Sequence, residues 1–112
     1  MRKSACLLLC LAALSLSACR DTLCAPLART YSQVDQKARP CLERAPLPAF
    51  NEAHCESRFE ACDVEDQARL RAQLDCYARL GTCVPGQEDA FLEEITRCDD
   101  LAPSNTCEAA FF

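Results

Sequence analysis

Four segments of this chain place apolar residues at helical spacing. The first opens near Pro26, which suits a first helical turn, and puts Leu27, Tyr31, Val34 and Ala38 on one face. Arg39-Pro40 closes it, because proline pushes the residue before it out of the helical region. Residues 42–50, with Pro46 and Pro48, read as a linker. Asn51 is a good N-cap for a second helix with Glu52 in its first turn, and Cys55, Phe59 and Cys62 share its face. A third helix over residues 66–80 carries Leu70, Leu74, Tyr77 and Leu80, with Gly81 as its terminator. After the turn Val84-Pro85-Gly86, Glu88 and Asp89 begin a fourth, whose stripe is Phe91, Leu92, Ile95 and Cys98 and whose bound is Pro103.

No Gly or Pro separates the second and third helices, so one long helix is the alternative. A break near residues 63–66 is preferred, because Asp66, Arg69 and Gln73 would otherwise interrupt the cysteine stripe. Ala, Leu, Glu, Arg and Gln dominate and β-branched residues are sparse, which agrees with the helical reading. The expected fold is all-α, a small disulfide-stapled bundle of about four helices.

The first nineteen residues are of a different kind. Met1-Arg2-Lys3 is a positive start, and residues 5–18 carry no charge, the n-region and h-region of a secretory signal peptide. The run is too short to span a bilayer, which takes about 20 apolar residues. Cleavage before Cys19 puts Ala18 at −1 but Leu16 at −3, where a general signal peptidase wants a small residue.

Leu16-Ser17-Ala18-Cys19 instead resembles the lipobox of bacterial lipoproteins. The resemblance covers only residues 1–19, and it implies cleavage before Cys19 and acylation of that cysteine. With roughly 0.8 kcal/mol per buried CH₂, two or three acyl chains hold a protein firmly on a membrane. Arg20, not Asp, follows the cysteine, which in that family implies an outer-membrane destination. The expected organisation is therefore a removed signal peptide (1–18), a lipidated N-terminus and tether (19–25) and a cysteine-rich helical domain (26–112). In general character that domain resembles small cysteine-rich envelope lipoproteins.

Removing residues 1–18 of the 112 leaves 94, and loss of Arg2 and Lys3 moves the net charge from −5 to −7. Leu, Ile, Val and Phe together make up 18 of those 94 residues. A chain so charged and so poor in large apolar side chains lies close to disordered composition, and its core alone would be thin. Cysteine changes the picture. Of eleven in all, Cys6 and Cys10 leave with the signal and Cys19 is lipidated. The remaining eight are Cys24, Cys41, Cys55, Cys62, Cys76, Cys83, Cys98 and Cys107, an even number in an oxidising compartment.

Connectivity is open, since eight cysteines allow roughly a hundred pairings. Cysteines seven apart on a regular helix lie about 10.5 Å from one another, which excludes Cys55–Cys62 and Cys76–Cys83. A hairpin turning near residues 63–66 would favour Cys55–Cys76. A weak repeat relates residues 55–62 to residues 76–83, and Cys41, Cys62 and Cys83 share its 21-residue period. Duplication of a stable helical unit accounts for it.

Candidate chemistry is sparse. There is no Cys-x-x-Cys pair, no glycine-rich phosphate loop, no Ser-centred elbow and no calcium loop. His54, the only histidine, reads as an exposed first-turn residue rather than the partner of Cys55 in a nucleophile pair. Glu93-Glu94 and Asp99-Asp100 read as solvated helix faces, and Phe111-Phe112 as either a partner anchor or packing beside Cys107. The acidic balance argues against nucleic acid. The expectation is a non-enzymatic, lipid-anchored binding or structural module of the cell envelope, without metal or cofactor, and with a partner of basic character. Envelope assembly, surface adhesion or motility, and inhibition of a basic hydrolase are the roles considered. The alternative is an envelope thiol-redox or metal-handling protein, which requires fewer than four disulfides.

Overall fold

Apolar residues three, seven, ten and fourteen places along from Cys24 wind into a single face, and this face is what α1 (Cys24–Ala38) buries. The computed structural model describes residues 22–112, so the signal, the lipobox and Cys19 lie outside the described residues. Among these, α1 is followed by α2 (Glu52–Arg58), a 3-10 turn (Phe59–Ala61), α3 (Val64–Ala78), α4 (Glu88–Asp99), α5 (Asn105–Glu108) and a closing 3-10 turn (Ala109–Phe111), with no strand. The fold is all-α and disulfide-stapled. The first helix opens at Cys24, two residues before Pro26, and Leu23 already packs against the core. Cys24 is fully buried, so residues 24 and 25 belong to the fold and not to a tether.

The break between the second and third helices is present, and Asp63 and Asp66 make it. The Asp66 amide donates to Asp63 Oδ1 at 2.8 Å, and the Asp63 amide donates back to Asp66 Oδ2 at 3.1 Å. This reciprocal capping box starts α3 two residues earlier than the apolar spacing predicts. At its other end α3 stops at Ala78, and Gly81 plays no part in the stop. The Lys37 ammonium reaches across from α1 and donates to the carbonyls of Tyr77 and Ala78 at 3.4 and 3.2 Å. A cation there satisfies orphan carbonyls and suits the negative end of the helix dipole.

Gly86 adopts φ +91°, a turn conformation that glycine enters without strain, and its amide donates to the Glu88 carboxylate at 3.0 Å. That bond holds the Glu88 carboxyl below its ordinary range. Helix α4 then buries Phe91, Ile95 and Cys98, while Leu92, expected in this stripe, is turned to solvent at 38 % exposure. Positions 91, 95 and 98 already complete the inward face, and 92 falls to one side of it.

These helices enclose two small cores. Leu27, Leu70 and Phe111 centre the first, around Cys24, Cys55, Cys62 and Cys107. Val34, Tyr77, Phe91 and Ile95 centre the second, around Cys83 and Cys98. Tyr31 packs against both.

All eight described cysteines are paired, as Cys24–Cys55, Cys41–Cys83, Cys62–Cys107 and Cys76–Cys98, with Cα separations of 5.8, 5.9, 4.5 and 5.5 Å. The expected Cys55–Cys76 bridge does not form. Helix α2 is only seven residues long and packs against α1 and the closing turn, which carries Cys55 to Cys24 rather than to α3. Cys62 and Cys83 lie beyond the helices that precede them, in the stretches by which the chain leaves α2 and α3. The 21-residue period of Cys41, Cys62 and Cys83 is therefore a series of helix exits, each fastened elsewhere.

Asp66 adds a polar clasp beside the Cys62–Cys107 bridge. The Ser104 amide donates to Asp66 Oδ1 at 2.8 Å, and the Ser104 hydroxyl donates to Oδ2 at 3.1 Å. The same hydroxyl accepts from the Cys107 amide at 3.3 Å, capping α5. Hydrogen bonds from Ser104 and Asp63 hold the Asp66 carboxyl below its usual 3.8. A carboxyl lowered on folding adds stability above its unfolded value, and that stability is lost as pH falls through the lower folded value. Thermal melts of Asp66→Asn are expected to show a lower midpoint at neutral pH and a smaller further loss than the parent as pH drops below 3.8. Replacing Cys62 and Cys107 together by serine is expected to cost about 4 kcal/mol in chemical denaturation, the loop-entropy value for a bridge of this span.

Candidate functional site

Where α1 crosses α3, Tyr31 and Tyr77 stand edge to face, with ring centroids 6.1 Å apart and planes at 81°. Tyr31 continues into a run of rings. Phe50 lies 5.2 Å away and Phe112 6.5 Å away, and Phe50 meets Phe111 at 5.6 Å. Against this run opens a pocket of about 240 Å³. Its walls are Tyr31 of α1, Gln73 and Tyr77 of α3, Asp99 of α4, Glu108 of α5 and Phe112, together with Leu47 and Pro48 of the linker.

A hydrogen-bond chain sets the polar wall. The Tyr77 hydroxyl donates to Asp99 Oδ1. The Gln73 amide nitrogen donates to the Tyr77 hydroxyl and to the Cys98 carbonyl, both at 3.4 Å. Both partners of that nitrogen have lone pairs to offer, which assigns the amide orientation. The Gln73 carbonyl oxygen consequently points away from them. Gln73 is only 5 % exposed, and its side chain forms part of the pocket lining.

The field in the pocket is negative. Burial, and then the charges of Glu108 and Asp99, push the Tyr31 hydroxyl up to about 12. Burial raises Tyr77 as well, helped by its donation to Asp99. The ion pairs among the described residues are Arg39–Asp35, Arg69–Glu65 and Arg97–Glu93, all between residues four apart on an exposed helix face. Neither Asp99 nor Glu108 has such a partner among them, and no cationic side chain lines the pocket.

The residues singled out in the sequence fall as follows. Asp99 does not lie on a merely solvated face, since it accepts from Tyr77, and the pair Asp99-Asp100 is divided in role. Phe111-Phe112 divides too: Phe111 is 1 % exposed in the first core, whereas Phe112 is 41 % exposed at the pocket. His54 is half-buried rather than exposed, with its Nδ1 buried and unbonded. Cys55 beside it is bonded to Cys24 and carries no thiol for a nucleophile pair. Among the described residues no three His, Cys, Asp or Glu side chains are grouped to hold a metal ion.

Sequence reasoning missed Gln73 and Asp66 as buried residues. Their signal is spacing: 66, 70, 73 and 77 recur at helical intervals, so two polar side chains share the inward face with Leu70 and Tyr77. The fold and pocket define a disulfide-stapled helical domain with a small acidic, aromatic cavity. Set against family models, curated proteins and solved structures, the chain gives no match.

The chain has two tyrosines and no tryptophan, and both tyrosines line this pocket. A hydroxyl raised on folding adds stability below its ordinary value of 10.0, and that stability is lost as pH climbs through the folded value. Ultraviolet titration at pH 11 is expected to find about a tenth of Tyr31 ionised in the folded protein, and about nine-tenths of each tyrosine after reduction and denaturation.

Proposed function

We propose that this chain is a lipid-anchored protein of the bacterial cell envelope, a non-enzymatic binding module that presents its pocket to a neighbouring envelope protein. One observation carries the reading: the eight cysteines after residue 19 close entirely upon one another. Cys19 is thereby left over at the one position where Leu16-Ser17-Ala18 precedes it. A cysteine with no disulfide partner required of it, after a charged start and a fourteen-residue uncharged run at 5–18, suits lipid attachment better than a fold element.

The same fold supports close apposition to the membrane. Cys24 is fixed in the first core, so five residue steps separate it from Cys19, a reach of at most about 18 Å. A module held that close favours partners embedded in or lying on the same membrane, and Arg20 after the lipidated position favours the outer one. No helix among the described residues is long and apolar enough to cross a membrane. The four bridges leave no thiol among the described cysteines for redox or metal work, which supports binding over that alternative.

Intact mass of protein extracted from membranes is expected to show a chain starting at Cys19, carrying two or three acyl groups and refractory to alkylation. Cys19→Ser is expected to remain unprocessed and unacylated while forming the same four bridges on peptide mapping. A mature chain that starts elsewhere, or that carries no acyl mass, overturns the proposal.

A further inference from the structure

Between α1 and α2 the backbone of residues 43–49 makes no hydrogen bond among the described residues, yet both ends of this stretch are fixed. Upstream, Cys41 is bonded to Cys83, and the amides of Cys41 and Leu42 donate to the Ala38 carbonyl, both at 2.9 Å. Downstream, the Phe50 ring packs against those of Tyr31 and Phe111, and the Asn51 amide donates to the Phe111 carbonyl at 2.8 Å. In the middle, Leu47 packs against the second core and Pro46 is half-buried, while Glu43, Arg44, Ala45, Pro48 and Ala49 are exposed. A segment with so few buried contacts and no backbone bonds belongs to the low end of local stability.

Leu47, Pro48 and Tyr31 line two cavities at once, the pocket of about 240 Å³ and a groove of about 300 Å³ that also takes in Ala28 and Phe50. We infer that residues 43–49 are a hinged strap, which lifts away from Tyr31 with its ends held and joins the two cavities into one cleft along α1. Pro46 and Pro48 make the movement a pivot. Each fixes its own φ and keeps the residue before it, Ala45 or Leu47, extended, so the segment turns as a piece instead of collapsing. Lifting breaks no backbone bond, and the amides of the exposed residues meet water before and after. The Leu47 contact with the second core opposes it, so this side chain sets how often the strap is open. The inference goes beyond the envelope reading and stands on the fold alone.

The test is nuclear magnetic relaxation dispersion on the full-length protein in detergent micelles, which reads opening on the microsecond-to-millisecond scale. Exchange is expected at the amides of Ala45, Leu47 and Ala49 and at the ring Cζ of Tyr31, all with one rate constant. The amides of Leu42 and Asn51, at the fixed ends, are expected to stay flat, as is that of Gln33 on the far side of α1 from Tyr31. Leu47→Ala is expected to raise the open population about three- to tenfold, the effect of trimming a half-buried leucine, with circular dichroism and all four bridges unchanged. Leu47→Met keeps a similar apolar volume and is expected to match the parent. The inference fails if the strap amides show no exchange, or if Tyr31 exchanges at another rate or not at all. It fails equally if the ends move with the middle, if Leu47→Ala leaves the open population unchanged, or if Leu47→Met opens as far as Leu47→Ala. None of these outcomes touches acyl mass on Cys19, while a missing acyl group overturns the envelope reading and leaves these rates standing.

Discussion

The Cys62–Cys107 bridge, with the Asp66–Ser104 hydrogen bonds beside it, holds the end of the chain against the start of α3, and the pocket exists only because it stays there. Helix α5 has four residues and the turn after it three, far below the length at which a helix is stable alone in water. Yet this short stretch supplies Phe111 to the first core and Glu108 and Phe112 to the pocket. Its closing carbonyl, that of Phe111, also accepts from the Asn51 amide at 2.8 Å, which ties it to the cap of α2. Covalent closure, a buried carboxylate and a backbone bond act on the same few residues from three sides.

The same logic extends to the other helices. Two cores of eight buried residues each, several of them cysteine or alanine, bury little apolar surface, and small domains bury a low fraction of what they have. Each bridge spans 22 to 45 residues of sequence and so removes about 3–4 kcal/mol of conformational freedom from the unfolded chain. Nor are the bridges distributed at random. Cys24–Cys55 fastens α1 to α2, Cys76–Cys98 fastens α3 to α4, and Cys41–Cys83 joins the exits of α1 and α3. Lys37 sits at this last junction, with its ammonium on the end of α3 and its carbonyl accepting from the Cys83 amide at 2.8 Å.

Helix positions were legible because apolar spacing and caps act within a few residues of themselves: Asn51 does cap α2, and the break at 63–66 is real. The pairing of the cysteines was not legible, because it depends on which helices lie side by side. The hairpin expected between α2 and α3 assumed two regular helices. The shortness of α2 and its 3-10 exit carried Cys62 off the helix, so the assumption failed at that point. The pocket was harder still to foresee. Tyr31 and Tyr77 are 46 positions apart, and Asp99 and Glu108 are brought to them only by the Cys76–Cys98 and Cys62–Cys107 bridges. The polar signal at Asp66 and Gln73 was visible as spacing, and it was read as a reason for a break when it marked a buried polar face.

That buried face explains how so small a domain keeps an acidic pocket open. Gln73 and Tyr77 form one polar chain to Asp99, which orients the carboxylate and fills the back of the cavity with satisfied groups. The front is left to Tyr31, whose ring touches both cores and so cannot swing in to close the space without uncovering one of them. Charge completes the arrangement. Asp99 and Glu108 stand on different helices, each fixed by its own disulfide. On the proposed reading, with lipid on Cys19 and a reach of about 18 Å to Cys24, this acidic pocket is presented at the membrane surface, where a short tether restricts which partners can reach it.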